Sequence, residues 1–186
     1  AMFAMNFSDR FDPFNDRLSR DVRNSLSEAF VEALKHVENQ RLEACLNHWL
    51  QQNLPPAVEH YLIDRSQRYR SVMNTLKSAQ VIDPSAVTAA FWNQELFFEL
   101  HEYLEDIWTT ETGQEREALK GMIQAAGAYV HREHQNRRSA ARLAAKAVQR
   151  LTGRNRRLKR IANLDELCRC LENLSEPPPQ LFLQTK

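Results

Sequence analysis

Apolar residues recur at the spacing of α-helices along most of the chain. The first stretch runs from Ser19 to Glu38, and its apolar positions follow a period of 3.6 residues: Val22, Leu26, Phe30, Ala33, Leu34 and Val37. Two further stretches, 42–50 and 58–76, lie on either side of the pair Pro55-Pro56, which interrupts helices. Because strand-like alternation is missing, the pattern predicts helices throughout the first half.

The second half begins with a helix-start signal and continues with a hairpin signal. Asp83 is a suitable cap before Pro84, so the pattern predicts one helix from Pro84 to Trp108. The pair Thr112 and Glu115 has the spacing of a capping box, which predicts a second helix ending near His134. Since only a few residues separate the two, we expect an antiparallel helical hairpin.

Two more helices and a tail complete the prediction. The next helix has the cleanest amphipathic pattern in the chain, with apolar residues at Ala140, Leu143, Ala144, Ala147, Val148 and Leu151. Gly153 is suited to end it, and Asn163 with Glu166 predicts a last helix through Leu174. The prolines at 177–179 forbid its continuation.

These elements predict an all-α protein, an irregular multi-helix bundle built around the antiparallel helical hairpin. We expect residues 1–80 to form a helical extension packed on a helical core at 83–174, and 175–186 to be a proline-rich tail. Composition agrees, since a chain of 186 residues with only four glycines favours helices. Three cysteines do not make a disulfide framework, and no apolar run is long enough to span a membrane, so we expect a cytoplasmic protein.

Charge is segregated although the net charge is only +1. Segment 83–117 has nine acidic residues and one basic residue, whereas segment 132–160 has eleven basic residues and one acidic residue. The two segments can face each other within the fold or across a homo-oligomer. Alternatively, the basic segment is a face for an anionic partner such as nucleic acid. That face would consist of Arg137, Arg138, Arg154, Arg156, Arg157, Lys159 and Arg160.

The most informative stretch is the helix over 91–108. Its apolar arc consists of Leu96, Phe97, Leu100, Leu104, Ile107 and Trp108, and its acidic arc of Glu95, Glu99, Glu102, Glu105 and Asp106. Phe98 interrupts the acidic arc. His101 lies at the border between the arcs, four residues before Glu105, so the two side chains can meet.

The second helix of the hairpin carries small residues beside a polar stripe. The small residues are Gly121, Ala125, Ala126, Gly127 and Ala128, and the stripe consists of Lys120, Gln124 and His131. Glycine inside a helix is unfavourable, and it usually permits another backbone to approach closely. Packing of the hairpin then predicts one partly buried polar cluster: His101, Glu102, Glu105, Gln124 and His131.

Two sequence motifs together resemble the family called domain of unknown function 309. The first is Phe98-Glu-Leu-His-Glu-Tyr-Leu-Glu-Asp-Ile-Trp108, and the second runs from Leu119-Lys-Gly-Met-Ile-Gln124 to His131. The resemblance covers residues 91–151 and implies a helical domain of bacterial, archaeal and plastid-lineage proteins with no established activity. The chain departs from it at Glu95, where the family often has glycine, and at Ser139-Ala140, where Gly-Ala is usual. The N-terminal extension lies outside it.

The polar cluster is consistent with three kinds of role. His101, Glu105 and His131 are ligand types for a metal ion, although the helix lacks the second histidine of a His-Glu-x-x-His zinc motif. Glu105 can also orient His101 as a general base. A structural network that locks the hairpin is the third role. Whether the chain is an enzyme, and with which cofactor, stays open. A binding or scaffold module for a protein or anionic partner is the principal hypothesis, and a metal-dependent hydrolase is the alternative.

Overall fold

The computed structural model of the protein describes residues 10–36, 39–79, 83–152 and 158–184. The chain forms two compact units, Ala1–Met73 and Asn74–Lys186, and each is described by itself. The described residues form eight helices and confirm the all-α fold. They are α1 Arg17–His36, α2 Gln40–Leu50, α3 Pro56–Ser78, α4 Pro84–Asn93, α5 Phe97–Thr110, α6 Gly113–Glu133, α7 Arg137–Leu151 and α8 Leu164–Asn173.

The first unit contains α1, α2 and most of α3. The predicted apolar face of α1 is buried at Val22, Leu26 and Phe30. Phe30 stacks on Tyr69 of α3 with ring centroids 3.9 Å apart. As predicted, α3 begins at the proline pair, because proline is tolerated in the first turn of a helix.

The predicted single helix from Pro84 to Trp108 is wrong, because the chain turns between α4 and α5. The start is as expected, since Asp83 Oδ1 accepts a hydrogen bond of 2.9 Å from the Ala86 N–H. At the end of α4, the N–H groups of Glu95 and Leu96 donate to the carbonyls of Trp92 and Phe91. This is the Schellman motif, which needs a left-handed residue, and Glu95 supplies it with φ 54°.

Two other helices end in the same way with residues other than glycine. Gln135 after α6 has φ 61°, and Leu174 after α8 has φ 47°. In each case the following N–H donates to the carbonyl five residues earlier, at 2.8 Å for Asn136 and 3.0 Å for Ser175. Left-handed backbone is strained for these side chains, so packing around the turns must offset the cost.

The hairpin of α5 and α6 is confirmed, but its connection differs from the prediction. The Thr112 side chain makes no capping hydrogen bond to α6, so the predicted capping box does not form. Instead, Arg116 Nη1 donates to the carbonyls of Trp108 and Glu111, at 2.9 and 3.2 Å. Its guanidinium also lies 3.7 Å from the centroid of the Trp108 ring. One arginine thus satisfies carbonyls at the end of α5 and joins the two helices.

Helix α7 packs against α6 through the predicted face, with Ala140, Ala144, Ala147 and Leu151 buried. A Cβ atom at Gly121 of α6 would lie only 3.0 Å from both Arg150 Cβ and Leu151 Cγ. Glycine at this position therefore lets α7 approach α6 closely. Gly153, predicted to end this helix, lies outside the described residues.

The C-terminal residues run extended along the second unit. Trp92 Nε1 donates to the Pro179 carbonyl at 2.8 Å, and the Asn93 side chain exchanges two hydrogen bonds with the Leu181 backbone. Leu181 itself is 2% exposed. Backbone groups of an extended segment need such partners when they are buried. Within the described ranges, no helix combines the length and the apolar character that crossing a membrane requires.

Candidate functional site

His101 lies on the side of α5 that faces α6. A Cβ atom at Gly127 of α6 would lie 4.0 Å from His101 Cδ2 and 3.4 Å from Leu143 Cδ1 of α7. The imidazole and Leu143 therefore both lie over Gly127. The His101 side chain retains 30% of its exposure, so it lies at the edge of the helix interface.

Two carboxylates on α5 surround this imidazole. Glu102 Oε1 lies 3.5 Å from His101 Nδ1, and Glu105 Oε1 lies 3.8 Å from Nε2. The Nδ1 atom is buried and has no hydrogen-bond partner among the described residues. One donor atom from each of the three residues lies within 4.8 Å of the others. An imidazole nitrogen and two carboxylates form a donor set suited to a divalent transition metal.

Gln124 and His131 have other partners. Gln124 is 8% exposed, and its Oε1 accepts a hydrogen bond of 3.0 Å from Arg150 Nη1. His131 Nδ1 lies 3.1 Å from Asn136 Nδ2, at the start of α7. Burial, and secondarily the positive charge of Arg142, lower the pKa of His131 below its usual value. The structure therefore brings together three of the five predicted residues and places the other two against α7.

The predicted arcs of α5 need one correction. Glu99 was expected on the acidic, outward arc, but it is fully buried. Because the chain turns at Glu95, α5 begins at Phe97 and Glu99 falls in its first turn. The helix dipole favours an acidic side chain at that end, which offsets part of the cost of burial. Ile107 and Trp108, expected in the core, are only partly buried.

Three basic residues of segment 132–160 have acidic partners within the unit. Arg132 pairs with Glu176. Arg150 Nε lies 3.0 Å from a carboxylate oxygen of Glu117, and Arg160 Nη1 lies 2.9 Å from a carboxylate oxygen of Asp83. Arg160, expected on a nucleic-acid face, is thus held at the start of α4. The acidic and basic segments do meet within the fold, at the last two pairs.

The remaining residues of the predicted basic face are exposed or not described. Arg137, Arg138 and Lys159 are exposed. Arg154, Arg156 and Arg157 lie outside the described residues. Their contribution to a nucleic-acid face stays a prediction.

A row of cations on α7 extends beyond the predicted face. Arg138, Arg142 and Lys146 are four residues apart and all exposed, and we call them the cationic stripe. In the part of the chain that the structure describes, no carboxylate pairs with any of them. Arg142 and Lys146 were not among the predicted partner residues. Their spacing of four residues is the signal that would have identified them.

A groove of about 910 Å³ lies between α7 and α8, and none of the three stripe residues is among the residues that line it. Its apolar lining includes Ala141, Ala145 and Val148 of α7 and Leu171 of α8. Arg137 and Glu172 are among the charged residues at its edge. We call it the α7–α8 groove. It is as large as the pockets that hold small ligands, but it extends along a helix.

Comparison with known proteins identifies a single family. No curated protein and no solved structure matches the chain. Residues 87–143, less than a third of the chain, match the family model described as a domain of unknown function. The matched segment includes α5, α6 and the start of α7, and therefore both motifs. The resemblance predicted from those motifs is confirmed: this segment is similar to the family domain of unknown function 309.

Proposed function

We propose that this chain is a binding module that recognises an anionic partner through the cationic stripe of α7. The observation that carries the proposal is the row Arg138, Arg142 and Lys146, exposed and without acidic partners in the described part of the chain. A scaffold role requires such a patch, whereas an enzyme would require the polar cluster to converge in a cleft. Among the described residues, the donor set comprises His101, Glu102 and Glu105, whereas His131 contacts Asn136, so the five residues do not form one cluster, which favours the binding role.

The stripe is electrostatically unfavourable for α7 by itself. Like charges four residues apart on a helix repel each other by a few tenths of a kcal/mol per pair. Arg137 and Arg138 also begin the helix, where the dipole disfavours cations, and the first turn has no acidic residue. An anion bound along this face would reduce both the repulsion between the cations and their unfavourable interaction with the helix dipole. The three cations are therefore more favourable on α7 when an anion is bound.

Polyanion binding tests this proposal directly. The probes are fluorescein-labelled polyglutamate and a labelled single-stranded oligonucleotide, followed by anisotropy from low to moderate NaCl concentration. We expect affinity for at least one probe to fall steeply with salt, because the contacts are exposed charges. The triple variant Arg138→Glu, Arg142→Glu, Lys146→Glu should weaken that binding by about tenfold or more.

A matched control separates this stripe from net charge. The variant Arg41→Glu, Arg70→Glu, Lys77→Glu changes the charge equally at exposed positions on other helices. It should bind nearly as the unmodified chain does. Equal loss in both triple variants, or no binding of either probe at low salt, would contradict the proposal.

Metal binding is a second candidate function, with metal-dependent hydrolysis as the activity that it would allow. It is supported by the donor set of His101, Glu102 and Glu105. The two carboxylates approach different ring nitrogens, so one of them would have to turn for all three to bind one ion. His131 is not one of these three donors, and its Nδ1 contacts Asn136.

Calorimetric titration of the chain with Zn²⁺ and Mn²⁺ tests the second candidate. Binding near one ion per chain, lost in His101→Ala and kept in His48→Ala, would support it, since His48 lies in the other unit. Hydrolase substrates would then be screened with the loaded protein. Absence of binding in the unmodified chain would leave His101 with a packing role between α5 and α6.

We also infer a reducing compartment such as the cytoplasm. Three free cysteines support this inference, and two of them, Cys168 and Cys170, are separated by one residue on α8. Labelling of the thiols in freshly lysed cells measures whether the three cysteines are reduced. Complete labelling without a reductant is the expected result, and protection of any pair would argue against it.

A further inference from the structure

Residues 175–184, which we call the docked tail, are held on the second unit by hydrogen bonds to their backbone. Trp92 Nε1 donates to the Pro179 carbonyl at 2.8 Å. The Asn93 side chain donates to the Leu181 carbonyl at 2.9 Å and accepts from the Leu181 N–H at 2.7 Å. An amide side chain that both donates to and accepts from one residue binds the backbone of an extended peptide.

A second asparagine binds the docked tail on the residues next to this one. Asn163 Nδ2 donates to the Gln180 carbonyl at 2.8 Å, and its Oδ1 accepts from the Phe182 N–H at 3.0 Å. Backbone groups of successive residues in an extended chain point to opposite sides, so the two asparagines hold the tail from both sides. Beyond them, Leu183 forms an antiparallel bridge with Ile161.

The side chains of the docked tail contribute one apolar anchor. Among its described residues, Leu181 alone is buried, whereas the neighbouring Phe182 is 59% exposed. Extended peptides that bind folded domains are held in the same manner, by main-chain hydrogen bonds and pockets for individual side chains. The docked tail is therefore bound to the helices as a peptide ligand would be.

The connection from α8 to the docked tail is short and strained. Helix α8 ends at Asn173, and the carbonyl of Ser175 already accepts a hydrogen bond of 3.1 Å from Tyr129 Oη on α6. Leu174 lies between them in left-handed backbone with φ 47°, which is unfavourable for a residue with a side chain. If the tail left its site, Leu174 could adopt an unstrained conformation. Short hinges under strain favour exchange of the segment that follows them between two copies of a protein.

We infer that the docked tail is exchangeable, and that the site formed by Trp92, Asn93 and Asn163 accepts the tail of a second copy of this chain. Two chains that exchange tails form the same hydrogen bonds as one chain does alone. Association costs translational and rotational freedom, and release of the strain at Leu174 acts against that cost. This inference goes beyond the anion-binding function, because it involves none of the residues of the cationic stripe.

The first test measures the mass of the full chain by size exclusion with light scattering, after incubation at increasing concentration. We expect a dimer whose fraction rises with concentration. Leu181→Ser removes the anchor and should lower the dimer fraction by about fivefold or more. Its matched control Phe182→Ser, at the exposed neighbour, should leave it within about twofold. Leu174→Gly removes the strain in the single chain and should lower it by about threefold.

Mixing two defective chains distinguishes tail exchange from any other dimer interface. Asn93→Ala damages the site and keeps the tail, whereas Leu181→Ser damages the tail and keeps the site. Each variant alone should be largely monomeric. An equimolar mixture has one intact tail and one intact site on different chains, so we expect its dimer fraction to exceed that of either variant by about threefold or more.

Several results would overturn the inference. They are a monomer at every concentration, a dimer that Leu181→Ser leaves unchanged, and a mixture that forms no more dimer than its components. Loss of the dimer in Phe182→Ser alone would assign association to the exposed phenylalanine instead. Circular dichroism checks folding, and unfolding of Leu181→Ser or Asn93→Ala would mean that the tail cannot leave without loss of the core. Leu181→Ser should bind the polyanion probes as the unmodified chain does, so failure of tail exchange and failure of anion binding are distinguishable.

Discussion

Helices α6 and α7 are neighbours, yet they are buried to very different extents. Helix α6 buries eleven of its twenty-one residues, whereas α7 buries four of its fifteen. A polar group on α6 must therefore find a partner inside the protein, as Gln124 does with Arg150. Most polar groups of α7 remain in water. Whether a charged side chain has a structural role or is available for binding therefore depends on how much of its helix is buried in the protein.

Within α7, the same contrast separates two arginines. Arg150 contacts Glu117 and the buried Gln124. Arg142, about two turns earlier on the helix, is exposed. One residue type thus has two roles on one helix, and the following predictions test that contrast, from the largest expected effect to the smallest.

The largest effect is expected where α6 and α7 touch. Gly121→Ala places a Cβ atom 3.0 Å from Arg150 Cβ and Leu151 Cγ, so these neighbours on α7 must move by a few tenths of an ångström. We expect the free energy of unfolding to fall by about 1–3 kcal/mol, the usual cost of overpacking, measured by urea denaturation.

Gly127→Ala on the same helix is the matched control. Its new Cβ atom would lie 3.4 Å from Leu143 Cδ1, which is an ordinary van der Waals distance. Better helix propensity should then leave stability unchanged or raise it by up to about 1 kcal/mol. Equal effects of the two alanines would show that close approach at Gly121 is not the constraint.

The next effect distinguishes the two arginines. Arg150→Ala leaves the buried Gln124 carbonyl without its hydrogen-bond donor, so we expect a loss of about 1–3 kcal/mol in the free energy of unfolding. Arg142→Ala should change it by no more than about 0.5 kcal/mol, as is usual for exposed positions. Reversal of this order in urea denaturation would contradict the assignment of a structural role to Arg150 and a binding role to Arg142.

A smaller effect is expected at the turn between the two helices. Gln135 has left-handed backbone with φ 61° and is exposed. Gln135→Gly should raise the free energy of unfolding by about 0.5–1 kcal/mol, because glycine adopts this conformation without strain. Ala145→Gly, at an exposed position in the middle of α7, should lower it by about 1 kcal/mol. A loss of stability in both variants would mean that the Gln135 side chain itself stabilises the turn.

The smallest effect concerns pH. Burial and the charge of Arg142 hold the pKa of His131 below its usual value, so the folded state binds this proton less readily than the unfolded state does. The contribution to stability is present above the unfolded pKa near 6.5 and is lost as pH falls through the lowered folded value. Titration by NMR should place the His131 pKa below 6.5, and Arg142→Gln should raise it. No change in that variant would assign the shift to burial alone.

Local features of this protein could be predicted from the pattern of its residues. The buried face of α7 depends only on helical periodicity, so Ala140, Ala144, Ala147 and Leu151 were correctly placed in the core. His101 and Glu105 are four residues apart on one helix, and their proximity follows from that spacing alone. The two motifs of the hairpin also sufficed to indicate the family resemblance.

Turns without glycine could not be predicted. Glu95 itself does not signal a left-handed conformation, so the helical pattern continued through the end of α4; the glycine that the family often has at this position was the available signal. The pair Thr112 and Glu115 has the spacing of a capping box, yet the Thr112 side chain makes no capping hydrogen bond, and Arg116 contacts carbonyls at the end of α5. Helical periodicity contains neither outcome, because both depend on the folded chain.

The helices, their apolar faces and the contact between His101 and Glu105 were therefore determined by the sequence itself, because they depend on neighbours within one helical turn. Tertiary structure alone decided that Gln124 meets Arg150, that Glu99 is buried, and that a groove lies between α7 and α8. These features depend on how each helix is rotated and how closely its neighbour approaches. The physical reason is that periodicity defines a face, whereas packing of side chains defines what that face contacts.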